Sequence, residues 1–139
     1  MLISDAMLID RIRNKINSEW NVDLVSLETN GMVTLSTFHD WYMPDGKLDL
    51  QKNITRLTKK IKQSLEQGRK GFRRVGDMNP LFSFDMIQEA FNFERLWQKK
   101  FDLPLIGICA YTRQHIEQLE DAAIELTHQH HGRVIGCHD

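Results

Sequence analysis

The chain has 139 residues, 41% hydrophobic and 27% charged, with a formal net charge of -1, which is the size and composition of one soluble domain with a real core. The lack of a basic excess argues against a dedicated nucleic-acid binder, and no apolar run approaches the roughly 20 residues of a membrane span. The opening "MLISDAMLID" has no basic segment ahead of its apolar residues, and Cys109 and Cys137 stand far apart, so the chain reads as cytoplasmic rather than as a disulfide scaffold.

In chain order, "LIS" at 2–4 reads as a short strand. Asp5 is placed to cap a helix with Leu8, Ile12, Ile16 and Trp20 on one face, at i,i+4 spacing. In "DLVSLETNGMVTLSTF", Asn30-Gly31 sits between two β-rich runs; this predicts an antiparallel hairpin on a type I′ turn, which needs φ > 0 at both central residues. "HDWYMPDGKLD" reads as a loop. Asp49 then caps a helix whose stripe is Leu50, Ile54, Leu57, Ile61 and Leu65, with Arg56, Lys59, Lys60 and Lys62 on its solvated face and Gly68 as its stop. "FRRVGDMNP" from Phe72 opens the next strand. A third helix is predicted over roughly 83–101, capped by Ser83, then the apolar strand "PLIGICAY" at 104–111. Thr112 starts a fourth helix with Ile116, Leu119, Ala123 and Leu126, and "RVIGC" at 133–137 is a last strand. Strands separated by helices imply βαβ crossovers. The fold class expected is α/β, a three-layer, mostly parallel sheet with one antiparallel hairpin, in a single domain over 1–139.

The chain lacks a P-loop, a G-x-G-x-x-G after a strand, a nucleophile elbow and H-E-x-x-H. It therefore reads as no enzyme and calls for no cofactor. Ligands of such sheets sit outside the carboxyl ends of the strands, here at Asp77–Asn79 and Cys109–Tyr111. In "FRRVGDMNP" a period of two puts Arg73, Val75 and Asp77 on one side and Phe72, Arg74, Gly76 and Met78 on the other. At least one arginine should be partly buried and must find a partner. Glu94 falls within the apolar stripe of the third helix (Ile87, Ala90, Phe91, Trp97, Phe101), so the expected partner is Glu94 for Arg73. Cys109 and Tyr111 face one way. A reactive Cys109 would need nearby positive charge, and a buried inert thiol is the plainer reading. "HQHHGRVIGCHD" holds four histidines and a cysteine, but its spacing matches no standard metal site; a histidine-rich helix end is the plainer reading.

The ordered run "NGMVTL", "WYMPDGKLDLQKNI", "GFRRVGDM", "FNFERLW", "GICAY" and "HHGRVI" resembles the MEDS family, the methanogen/methylotroph sensory domain found in the regulator of dichloromethane use. The resemblance covers nearly the whole chain. It places the family's strand arginine on Arg73, its Gly-acid-Met on Gly76, Asp77 and Met78, its helix glutamate on Glu94, its Cys-x-Tyr on Cys109 and Tyr111, and its late histidine on His131. Pro80 stands where the family usually has a tryptophan, and Thr112 where an aspartate is common. The family's usual N-terminal strand and helix, and its DNA-binding or kinase modules, are not seen. The resemblance implies a sensor with a RecA- or KaiC-like fold that has lost nucleotide chemistry.

The reading these observations support is a non-catalytic sensory or signal-transduction domain. Its ligand is small, apolar or one-carbon-related, or else it engages a signalling protein such as a kinase or regulator, without nucleic acid or membrane. Asp77, Met78, Asn79, Cys109, Tyr111 and His131 would line the site, and Arg73 and Glu94 would orient it from beneath. Two alternatives stay open: a homo-oligomerising interaction module with Trp41, Tyr42 and Trp97 as anchors, and a thiol or metal redox sensor using Cys109, or His128, His131 and Cys137.

Overall fold

The computed structural model describes residues 1–84, 86–97, 102–117, 124 and 135, without the side chains of Glu94 and Trp97. Its elements run β1 (Leu2–Ser4), α1 (Ala6–Glu19), α2 (Leu24–Thr29), β2 (Leu35–Thr37), α3 (Phe38–Tyr42), α4 (Leu50–Glu66), β3 (Phe72–Asp77), α5 (Asn79–Ser83), α6 (Ile87–Trp97), β4 (Leu105–Ala110) and α7 (Arg113–Glu117). The four strands form one sheet in the order β2-β1-β3-β4, and every pairing is parallel. The α/β class expected from the sequence is what the chain adopts. The predicted strand at 133–137 and most of the fourth helix lie outside the described residues. None of the described helices is long and apolar enough to cross a membrane.

The predicted hairpin is not formed. Asp23 caps a helix instead, its side chain accepting from the Ser26 N–H at 2.9 Å, and Asn30-Gly31 ends that helix. Gly31 has φ +65° while Asn30 keeps φ -79°, so the pair lacks the second positive φ of a type I′ turn. Gly31 N–H donates to Glu28 O and Met32 N–H to Leu27 O, the two bonds of a Schellman cap. The segment predicted as a loop after Thr37 begins with α3. Thr37 caps it, accepting from Asp40 N–H at 3.1 Å and donating to Asp40 Oδ2 at 2.6 Å. The helix predicted over 83–101 starts at Ile87, and Ser83 closes the short helix α5 rather than capping α6.

α4 follows its pattern. Asp49 accepts from Lys52 N–H at 2.9 Å, Leu57 and Ile61 are buried, and Gly68 at φ +79° ends the helix. Each of those side chains contributes about 1.5–3 kcal/mol on burial. They join Ile3, Phe38, Trp41, Tyr42, Met78, Leu81, Ala90 and Phe93 in the core. Trp41 and Tyr42 are thus interior residues, which removes them as anchors for a partner. The tryptophan ring carries the Arg56 guanidinium 4.6 Å from its centroid.

The buried arginine of β3 is Arg74, 1% exposed, whereas Arg73 is exposed. The sequence reading expects Arg73 as the buried, paired arginine and assigns Arg74 no partner. Arg74 and Gly76 share the core face of the strand, and the guanidinium lies 5.5 Å from the Tyr42 ring and 5.3 Å from the Phe93 ring. A cation over aromatic faces is attracted by their quadrupoles. The expected pairing of Arg73 with Glu94 involves a side chain outside the described residues. On the other face, Ile106 and Ile108 of β4 remain half exposed.

Candidate functional site

β1 lies between β2 and β3, so successive connections leave it in opposite directions along the sheet. That reversal is a switch point, and the crevice beyond the strand ends there is where open α/β sheets hold ligands. A cleft of about 570 Å³ occupies this place. Its floor is Asp5, Thr37, Asp77 and Thr112, at or just past the carboxyl ends of the four strands, together with Asn79. One wall is the start of α1, with Ala6, Met7, Leu8 and Arg11. The opposite wall is Phe38 and His39 of α3 with Pro80, Ser83 and Phe84 at α5.

The polar floor is knitted together by hydrogen bonds. Asp77, only 6% exposed, accepts from Ser4 Oγ at 2.5 Å, Asn79 N–H at 3.0 Å and Asn79 Nδ2 at 2.6 Å. Buried side-chain oxygens need such donors to offset their lost hydration. Asn79 Oδ1 accepts from the Thr112 N–H at 2.9 Å and lies 2.7 Å from His115 Nδ1. An amide oxygen cannot donate, so the imidazole donates from Nδ1. The His115 ring stacks on Phe82 with centroids 4.9 Å apart and planes 9° from parallel. Asp77 and Asn79 therefore tie β1, β3 and the β4–α7 junction into one unit.

The remaining polar side chains of the floor and cap are likewise engaged. Asp5 accepts from Leu8 N–H at 2.8 Å, Ser83 Oγ donates to Asn79 O at 3.3 Å, and Thr112 Oγ1 accepts from His115 N–H at 3.4 Å. The walls are open in contrast: Met7 is 72% and Phe84 52% exposed. Phe84 meets Phe38 at 6.1 Å and the His39 ring at 6.2 Å between centroids.

Of the residues expected from sequence, Asp77 and Asn79 line the cleft. Met78 is fully buried in the core. Cys109 and Tyr111 are partly buried against that core, and the Tyr111 ring lies 6.1 Å from that of Phe82; neither lines the cleft. Arg73 does not line it either. Glu94 by its side chain, and His128, His131 and Cys137 entirely, lie outside the described residues. Among the described residues there is no group of three metal-ligating side chains. Sequence reasoning missed the whole α1 and α3 side of the cleft: Met7, Arg11, His39 and, just past α5, Phe84. Only Asp5, recognised as a cap, marked where β1 ends, and nothing local says that β1 is the central strand beside β3.

No curated protein and no solved structure matches the chain. A family model does: the one described as MEDS, MEthanogen/methylotroph, DcmR Sensory domain, over residues 1–130. With that match spanning nearly the full 139 residues, arranged on the parallel α/β sheet described above, the chain belongs to the MEDS family of sensory domains.

Proposed function

We propose that this sensory domain binds a small organic ligand in the strand-end cleft and passes its occupancy to a signalling partner without chemistry on the ligand. The carrying observation is the cleft itself: a pre-organised polar floor under exposed apolar walls at the switch point of the sheet. Its volume, about 570 Å³, falls within the roughly 300–1,000 Å³ usual for ligand sites. It is also several times the ~150 Å³ cavity that holds a benzene, so the site suits an organic body of many atoms better than a one-carbon compound. A non-catalytic role is supported by the engagement of the floor. Ser4 Oγ is bonded to Asp77, and the His115 imidazole is directed at an amide oxygen rather than at a nucleophile.

Thermal-shift screening of small organic compounds tests this reading. A compound present at about 100 times its Kd stabilises by about 2.7 kcal/mol, which is a rise in Tm of roughly 6–10 °C for a domain of this size. The rise is expected to shrink in Phe84→Ser and to persist in Ile106→Ser on the opposite sheet face. Compounds that shift wild type and Phe84→Ser equally would place the ligand elsewhere and sink the proposal.

A further inference from the structure

The unengaged chemistry of the cleft is not that of its acids. Asp5 and Asp77 both line it, but Asp5 is taken by the helix amide of Leu8 and Asp77 by three donors. Thr37, Asn79, Ser83 and Thr112 have internal partners as well. Two polar side chains are left. Arg11, on the α1 wall, and the imidazole of His39, on the α3 wall, make no hydrogen bond or ion pair among the described residues, although His39 meets the Phe84 ring edge-on. What the cleft offers an incoming molecule is therefore a guanidinium and an imidazole set in apolar surface from Met7, Pro80 and Phe84. A guanidinium presents a planar fork of donors matched to carboxylate and sulfonate oxygens. Apolar walls, for their part, need an apolar body to displace their water.

We infer that the ligand is an amphiphilic organic anion, with its acid group on Arg11 and its hydrophobic body against Phe84 and Met7. This rests on the cleft being the ligand site. It makes Arg11 the residue that selects for charge and Phe84 the residue that selects for apolar bulk. His39 stands as a second donor from the facing wall.

Two fluorescent probes with nearly the same aromatic body separate these roles: the anionic 8-anilinonaphthalene-1-sulfonate and the uncharged N-phenyl-1-naphthylamine. Wild type is expected to bind the sulfonate about tenfold more tightly than the neutral amine, the scale of one charge-assisted contact. Arg11→Gln keeps a good helix former at an exposed position. It should lose that preference, the sulfonate's affinity falling by about tenfold more than the neutral probe's. Phe84→Ser should weaken both probes, and circular dichroism checks that each variant is folded. Equal affinities in wild type, weakened together by Phe84→Ser and untouched by Arg11→Gln, would overturn the anion assignment and leave the cleft as the ligand site. Binding of both probes that Phe84→Ser does not alter would overturn the cleft itself, and the assignment with it.

Discussion

Gly76 shows how one residue sets the interior of this sheet. A Cβ built there would lie 2.9 Å from Arg74 Nη2 and 3.2 Å from Tyr42 Oη, so the missing side chain makes room for a buried guanidinium. Gly76→Ala should cost about 1–3 kcal/mol, as overpacking does, read by urea denaturation. Tyr42 Oη is buried with no hydrogen-bond partner among the described residues. Tyr42→Phe should therefore cost almost nothing, and it should reduce the cost of Gly76→Ala when the two are combined, because they share one space. Asn53 is a second such point. Its Nδ2 donates to Tyr42 O at 3.0 Å and Asp49 O at 2.9 Å, pinning the α3–α4 connection. Asn53→Asp replaces a donor by a carboxylate facing two carbonyls. It should destabilise by several kcal/mol at neutral pH against about 1–3 for Asn53→Ala, with the gap narrowing in acid as the new carboxyl protonates. A buried arginine in β3 was legible, since a strand with helices on both faces must bury part of its charge. Which arginine was not: a period of two separates Arg73 from Arg74 but does not say which face meets Tyr42 and Phe93.

At the scale of elements, helix ends were the most legible features. Asp5 and Asp49 cap as their sequence context indicates, because an N-cap is a bond within four residues and needs no tertiary partner. Asn30-Gly31 was misread for the same local reason. A hairpin turn and a Schellman cap both want a glycine at positive φ, and the two diverge only in the asparagine's φ and in which carbonyls are reached. Gly31 has room for a side chain, with Arg69 Nη2 as its nearest contact at 3.7 Å, so its φ of +65° is what makes it glycine. Gly31→Ala should cost about 1 kcal/mol through backbone strain alone. Chemical denaturation measures this, and a change within error of zero would mean the cap had relaxed. α5 was missed because Asn79 and Pro80 were read with the strand stretch "FRRVGDMNP" and Ser83 as a cap, which leaves too few residues between them to show a helical period.

Across the whole molecule, Arg13 of α1 and Glu28 of α2 form a two-pronged pair at 2.6 and 3.0 Å. The hydrogen bonds from Arg13, and then its charge, hold the Glu28 carboxyl below its ordinary value of 4.5. A depressed carboxyl stabilises the fold above the unfolded value and loses that contribution as pH falls through the folded one. The pair is partly solvated, so about 0.5–1 kcal/mol is the right scale. Glu28→Gln should cost this much near neutrality and nothing at the acid end, flattening the acid limb of a stability–pH profile; a variant whose loss is equal at all pH values would show that charge is not involved.

The division between sequence and tertiary structure follows from range. Composition, periodicity and capping determined the α/β class, the starts of α1 and α4 and the presence of charge in β3, because each depends on neighbours a few residues away. The ordered motifs pointed to the MEDS family by themselves. Strand order was decided only when the chain closed on itself. It is the placement of β1 between β2 and β3 that brings Met7 and Arg11 of α1 opposite His39 and Phe84 around Asp77. The sequence marked the right edge of the sheet at Asp77 and Asn79 and then looked along β4 to Cys109 and Tyr111. The fold instead opens its cleft toward β1, because a parallel sheet places its crevice where its connections change direction, and that direction is a property of the packed chain.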